Sequence, residues 1–177
     1  MNRTQRPGAD EHHEYFETYI RQVPDGDIVA TLRAGVDATA AILAGGPEAA
    51  GDLRAAPGKW TVREILGHVI DTERAFGFRA FWFARSGAGA LPSFEQDAFA
   101  AASRATSRTL ESLFDEWRAV RASLVVLFES LNEEESMRRG IAGGNPFTAR
   151  ALAWIAAGHE IHHRRQIKGL VESHARS

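Results

Sequence analysis

Apolar positions recur along most of this chain at intervals of three and four residues, the spacing of an amphipathic α-helix. A short apolar run from Tyr15 to Val23 predicts a short first helix. The pattern then predicts four long helices, at about residues 28–43, 61–85, 110–131 and 148–172. We find no run of alternating apolar and polar residues that would predict a strand, so the fold is expected to be all-α.

Caps and breakers mark the ends of these predicted helices. Gly45-Gly46-Pro47 ends the first long helix, and the Gly/Ala/Pro-rich stretch 87–92 follows the second. Thr61 and Glu64 predict a capping box, in which each side chain bonds a backbone N–H at the start of the second long helix. A stretch rich in glycine, residues 140–146, separates the third helix from the fourth.

Four amphipathic helices separated by breakers predict a four-helix bundle. The chain has 177 residues, a length typical of one domain. We predict a single bundle domain over residues 11–173, with flexible ends at residues 1–10 and 174–177. A weak helical patch at residues 95–103 lies in the connection between the second and third long helices.

Composition narrows the classes of function. Apolar residues make up 44% of the chain and charged residues 25%, with a net charge of −2, which is ordinary for a globular protein. No basic run predicts nucleic-acid binding, and no apolar stretch is long enough to predict a membrane span. The chain has no cysteine, which excludes disulfides and thiolate ligands. Because the first ten residues hold no apolar export signal, we expect a cytoplasmic protein.

Histidines interrupt the apolar face of the fourth long helix. With about 100° between successive residues, His159 and His163 fall in the middle of the stripe that should face the core, and Gln166 lies beside them. Buried polar groups without partners cost about 1–3 kcal/mol each. Histidines four positions apart project from one face, so both imidazoles can bind one metal ion. Hydrogen-bonded core histidines are the alternative.

A third imidazole lies on the second long helix. On the helical wheel, His68 falls at the edge of the buried face, where it can point into a groove between helices. Three histidine ligands leave at least one coordination position open, as in catalytic metal sites. His68, His159 and His163 are therefore predicted to bind one divalent transition metal.

Two segments, Trp60–Arg74 and Ala157–Ile167, resemble the second and fourth helices of the DinB/YfiT-like superfamily. The resemblance implies a bundle of up-down-down-up order with a long connection between helices two and three. It also implies a zinc or nickel site at the three histidines, a homodimer, and membership of a group that includes thiol-dependent transferases and hydrolases. Many members of this superfamily have no assigned activity.

The first hypothesis is a metal-dependent S-transferase or hydrolase that acts on a small molecule. A metal ion lowers the pKa of a bound thiol or water and so supplies a nucleophile near neutral pH. Because the chain has no cysteine, a transferase would use a low-molecular-weight thiol as cosubstrate. Asp71 and Glu160 are the candidates for proton transfer, and Gln166 is the candidate for binding the cosubstrate.

Two further hypotheses remain open. Residues 159–163 match the H-E-x-x-H motif of zinc peptidases, with Glu160 as the base, although neither of the usual continuations follows. The other hypothesis is a non-catalytic, metal-stabilised dimer that acts as a binding module. Five aromatic residues on nearly all sides of the second long helix suggest its interface: Phe76, Phe78, Phe81, Trp82 and Phe83.

Overall fold

The computed structural model describes residues 1–44 and 46–176, so Gly45 of the predicted breaker and Ser177 of the predicted C-terminal end lie outside it. One short 3₁₀ turn precedes α1, a second precedes α3, and a third follows α4. The helices are α1 (Glu17–Ile20), α2 (Ile28–Leu43), α3 (Val62–Ala84), α4 (Gln96–Ala102), α5 (Leu110–Ser130), α6 (Glu133–Met137) and α7 (Ala149–His174). The strands are β1 (Arg139–Ala142) and β2 (Asn145–Thr148).

All four predicted long helices are present, as α2, α3, α5 and α7, and the protein is mostly helical. Both α2 and α3 pack against α5 and α7. The predicted capping box is confirmed, because the Glu64 backbone N–H donates to Thr61 Oγ1 and the Thr61 N–H donates to the Glu64 carboxylate. None of the described helices is both long and apolar enough to cross a membrane.

The prediction that the chain has no strand is wrong at residues 139–148. β1 and β2 form an antiparallel hairpin in which Arg139 pairs with Thr148 and Ala142 with Asn145. Gly143 and Gly144 make the turn with φ of 56° and 78°, a conformation that glycine adopts without strain. Four-residue strands are too short to show an alternating pattern, so the glycines indicated only a helix break.

Residues 1–10, for which the sequence predicts a flexible end, make specific contacts in the structure. The Met1 ammonium group donates to the carbonyl oxygen of Leu131. The Arg6 guanidinium donates to the carbonyl of Ile20 and lies over the ring of Trp154, 5.1 Å from its centroid. These contacts hold the N-terminal segment against the bundle.

Two apolar clusters fill the bundle. The first combines the N-terminal parts of α2 and α7 with the C-terminal parts of α3 and α5. The second combines the N-terminal parts of α3 and α5 with the C-terminal part of α2 and with Ile167 of α7. The three predicted metal ligands belong to neither cluster, although all three are buried.

Gly158 allows α1 to pack closely on α7. A Cβ atom at this position would lie 2.1 Å from the carbonyl oxygen of Tyr19, and backbone cannot move aside as a flexible side chain can. We expect Gly158→Ala to lower the free energy of unfolding by about 1–3 kcal/mol, as over-packing does. Urea denaturation measures this loss.

Gly169→Ala is the matched control on the same helix. No atom lies within 4 Å of a Cβ at position 169, so alanine should stabilise α7 there by about 0.5–1 kcal/mol. Equal effects of the two substitutions would show that the contact at Gly158 is not tight.

Candidate metal centre

Three imidazoles from two helices meet inside the bundle. His68 is presented by α3, and His159 and His163 by α7, on successive turns. Nε2 of His159 lies 3.1 Å from Nε2 of His68 and 3.2 Å from Nε2 of His163. The three side chains are buried, and one nitrogen from each lies within 4.8 Å of the others. The structure thus brings together all three residues that the sequence predicts as ligands.

Neighbouring side chains orient two of the three rings. Nδ1 of His163 lies 3.1 Å from Oε1 of Gln166, which fixes the proton on Nδ1 and leaves the Nε2 lone pair facing the centre. Nδ1 of His68 lies 3.5 Å from the Thr72 hydroxyl, and the Trp60 ring lies against the His68 ring with centroids 4.8 Å apart. Nδ1 of His159 is buried without a hydrogen-bond partner among the described residues.

Burial keeps these imidazoles neutral. It lowers the pKa of His68 to about 4 and that of His163 to about 3. Burial, together with the neighbouring imidazoles, also holds the pKa of His159 well below its usual value. Neutral imidazole is the form that binds metal ions, so near pH 7 the three rings need not lose a proton first.

The arrangement fits a bound cation. In a tetrahedral site with metal–nitrogen distances of about 2.0–2.1 Å, neighbouring ligand nitrogens are about 3.3 Å apart, close to the two separations in this centre. Without a cation, a proton on Nε2 of His159 could bridge to only one of the two facing nitrogens at a time. A metal ion satisfies all three lone pairs at once.

The centre opens onto a cavity of about 330 Å³. His68 and His159 line it together with Tyr19, whose ring lies 5.2 Å from that of His159. Burial raises the pKa of Tyr19, so its hydroxyl stays protonated and can donate a hydrogen bond. The buried Arg79 also lines the cavity.

Sequence reasoning missed both Tyr19 and Arg79. Tyr19 belongs to a helix of four residues. The apolar pattern predicts this helix but does not show which other helix it packs against. For Arg79 a signal existed, because it follows His68 by three helical turns and therefore falls at nearly the same angle on the wheel.

Asp71, a candidate for proton transfer, does not line the cavity of the metal centre. Its carboxylate lies 3.4 Å from the Arg74 guanidinium, and it borders a separate, smaller cavity near Glu116. Partial burial raises its pKa. The structure therefore gives Asp71 no contact with the three imidazoles.

Glu160, the other candidate, points toward α2 instead of the cavity. Its Oε1 accepts a hydrogen bond from the Thr39 hydroxyl at 2.8 Å and lies 3.4 Å from Arg164. The carboxylate is fully buried, and this burial raises its pKa, against the attraction of Arg121. This position does not suit a general base that must reach a nucleophile beside the metal centre.

Comparisons with known proteins agree with this geometry. A family model of the DinB superfamily matches residues 31–167. The structure is similar to that of YfiT from Bacillus subtilis, with a TM-score of 0.74 and 14% sequence identity, over 97% of this chain and 94% of that chain. YfiT is described as a probable metal-dependent hydrolase with an unusual four-helix bundle topology. No curated protein sequence matches the chain.

Proposed function

The chain belongs to the DinB superfamily, and we propose that it is a metal-dependent enzyme, a hydrolase or thiol-dependent S-transferase, acting on a small molecule. One observation carries the proposal. Three neutral imidazoles converge beside a cavity of about 330 Å³, which His68 and His159 line and which is large enough for a small substrate. Three ligands leave a coordination position for a thiol or water, which a purely structural site would fill.

His68, His159 and His163 would hold the ion, for which zinc and nickel are the proposed identities. When bound, a divalent metal lowers the pKa of a water or thiol and supplies the nucleophile near neutral pH. Gln166 keeps the His163 ring in the binding tautomer, and Thr72 lies beside the outer nitrogen of His68. The Tyr19 hydroxyl, which lies 3.2 Å from the Tyr15 hydroxyl, would contact a group bound in the cavity.

A thiol nucleophile must come from outside the chain, because no cysteine is present. In a transferase the nucleophile would be a low-molecular-weight thiol, and in a hydrolase it would be water. The peptidase alternative is weakened by the position of Glu160, whose carboxylate bonds Thr39 on α2.

The proposal extends to the architecture and the assembly. An up-down-down-up order is supported by the two apolar clusters, which place the start of α2 and α7 beside the end of α3 and α5.

A homodimer is supported by Phe78 and Phe81, which are 51% and 45% exposed beside an apolar groove. Light scattering that finds only a monomer would remove the dimer.

A turnover assay tests the enzymatic function. Protein loaded with zinc or nickel is incubated with esters and amides, and separately with electrophiles plus a thiol such as glutathione. We expect turnover of at least one substrate, falling by more than about tenfold in His163→Ala, because loss of a ligand disturbs both metal binding and nucleophile activation.

The matched control is His174→Ala, since His174 is an exposed histidine in the last turn of α7, about three turns beyond His163. It should retain the activity. Equal turnover by the loaded wild-type protein and His163→Ala on every substrate would contradict an enzymatic role for the centre.

A further inference from the structure

Arg79 is a buried cation without a carboxylate partner among residues 1–44 and 46–176. Its side chain is 9% exposed, yet it forms no ion pair with any described acid. The other three buried arginines among the described residues, Arg63, Arg121 and Arg150, are each paired with at least one carboxylate. A buried charge is costly unless it is compensated, so this exception calls for an explanation.

The protein contacts of Arg79 use little of its bonding capacity. One Nη2 hydrogen bond goes to the carbonyl oxygen of Pro92 at 3.1 Å, and the guanidinium lies 6.0 Å from the centroid of the Phe94 ring. A guanidinium carries five N–H donors, so four of them make no described hydrogen bond. None of the Arg79 nitrogens is both enclosed and without a partner, and the residue lines the cavity, so these donors are accessible to a bound group.

Acids near the cavity do not neutralise this charge. Glu95 borders the same cavity but is not ion-paired with Arg79. Burial lowers the pKa of Arg79, and no acidic neighbour opposes that effect. The cavity therefore carries a positive charge at one end when nothing is bound there.

The distance between Arg79 and the three histidines determines how long a ligand that contacts both must be. Both residues lie on α3, and His68 and Arg79 are separated by three turns, about 16 Å between Cα atoms along the helix axis. The Arg79 side chain leans back toward His68 and shortens this gap only in part, which favours an elongated ligand over a single small anion. Phe76 and Phe94 line the intervening wall, so an apolar or aromatic body is favoured between the two ends.

We propose that Arg79 binds the anionic head group of the substrate, a carboxylate or a phosphate ester, while an apolar body places the reacting group at the three histidines. A guanidinium matches the paired oxygens of either head group with two parallel hydrogen bonds. This inference rests on the proposed function for the identity of the reacting end. The binding of an anion by Arg79 does not itself require the metal.

Calorimetric titration of the full-length protein tests the inference. The probes are phenylalkanoates of increasing chain length, the corresponding neutral amides, and phenylalkyl phosphates. Each is titrated into chelator-treated and zinc-loaded protein, since a carboxylate that bound only to zinc would lose its affinity after chelation. We expect at least one anion to bind about tenfold or more tightly than its neutral counterpart in both preparations.

Arg79→Gln should abolish this preference for the anion without weakening the neutral amide, whereas collapse of the cavity would weaken both. The matched control is Arg85→Gln, because Arg85 is an exposed arginine at the end of α3, paired with Glu135. It should keep the preference. The head group that depends more on Arg79 identifies the class of anion.

Three results would overturn the inference: equal affinity for anion and amide, a preference that survives in Arg79→Gln, or no saturable binding of any anion at millimolar concentration. These results test anion binding by Arg79 independently of the proposed metal-dependent activity. A protein that takes up no metal can still show a preference that depends on Arg79, and an active metalloenzyme can lack one.

Discussion

His159→Ala is expected to weaken zinc binding by more than about 100-fold while the chain remains folded. His159 is the central ligand, because its Nε2 lies within 3.2 Å of the Nε2 atoms of both His68 and His163. Its loss leaves two imidazoles on different helices. Changes to residues that only orient a ligand already cost about 10–100-fold in metal affinity, so removal of a ligand should exceed that range.

Competition with a chromophoric chelator measures this affinity, and circular dichroism verifies that the variant is helical. His174→Ala is the control, since it removes an exposed imidazole from the same helix, about three turns beyond His163. Wild-type affinity in His159→Ala would mean that the metal binds elsewhere, and the proposed centre would then be wrong.

The four long helices could be predicted because their signals are local. Thr61 and Glu64 lie three positions apart, and they cap α3 whatever the rest of the chain does. Likewise the apolar stripe of α7 depends only on its own spacing. The hairpin was missed because its pairing of Arg139 with Thr148 is a contact between segments too short to show a period.

The cluster of three histidines could be predicted for a related reason. Polar residues within an apolar stripe must find partners inside the core, so the positions of His159 and His163, together with His68, favoured a shared cation over hydrogen-bonded core histidines. Which acids approach the centre was not predictable, because a carboxylate's direction depends on what packs opposite it. Glu160 follows His159 directly in sequence, yet Thr39 of α2 binds its carboxylate away from the cavity.

Arg121 faces two buried acids in the bundle core, Glu73 and Glu160, and this network could not be predicted from α5 alone. Its guanidinium binds the Glu73 carboxylate through two hydrogen bonds and donates a third to the carbonyl oxygen of Leu32. Trp117 Nε1 donates to the same carboxylate at 2.7 Å, and Arg121 also attracts the buried Glu160. Removal of the cation would leave the buried Glu73 carboxylate without its counter-charge and would leave Glu160 with Arg164 alone.

We therefore expect Arg121→Met to lower the free energy of unfolding by about 3–5 kcal/mol, the usual cost of breaking a buried ion pair from one side. Urea denaturation at pH 7 measures this loss. The deficit should shrink at acidic pH, because carboxyl groups that take up a proton no longer bury a charge. Adding Glu73→Gln to Arg121→Met should restore part of the stability for the same reason.

The matched control for Arg121→Met is Arg118→Met, one turn earlier on α5. Arg118 is about half exposed and pairs with Asp37 and Asp115 at the surface. Since exposed ion pairs contribute little, this variant should stay within about 0.5 kcal/mol of the wild-type protein. A similar loss in both variants would mean that Arg121 stabilises the bundle no more than a surface charge does. That result would contradict the role of Arg121 as the counter-charge of the buried Glu73 carboxylate.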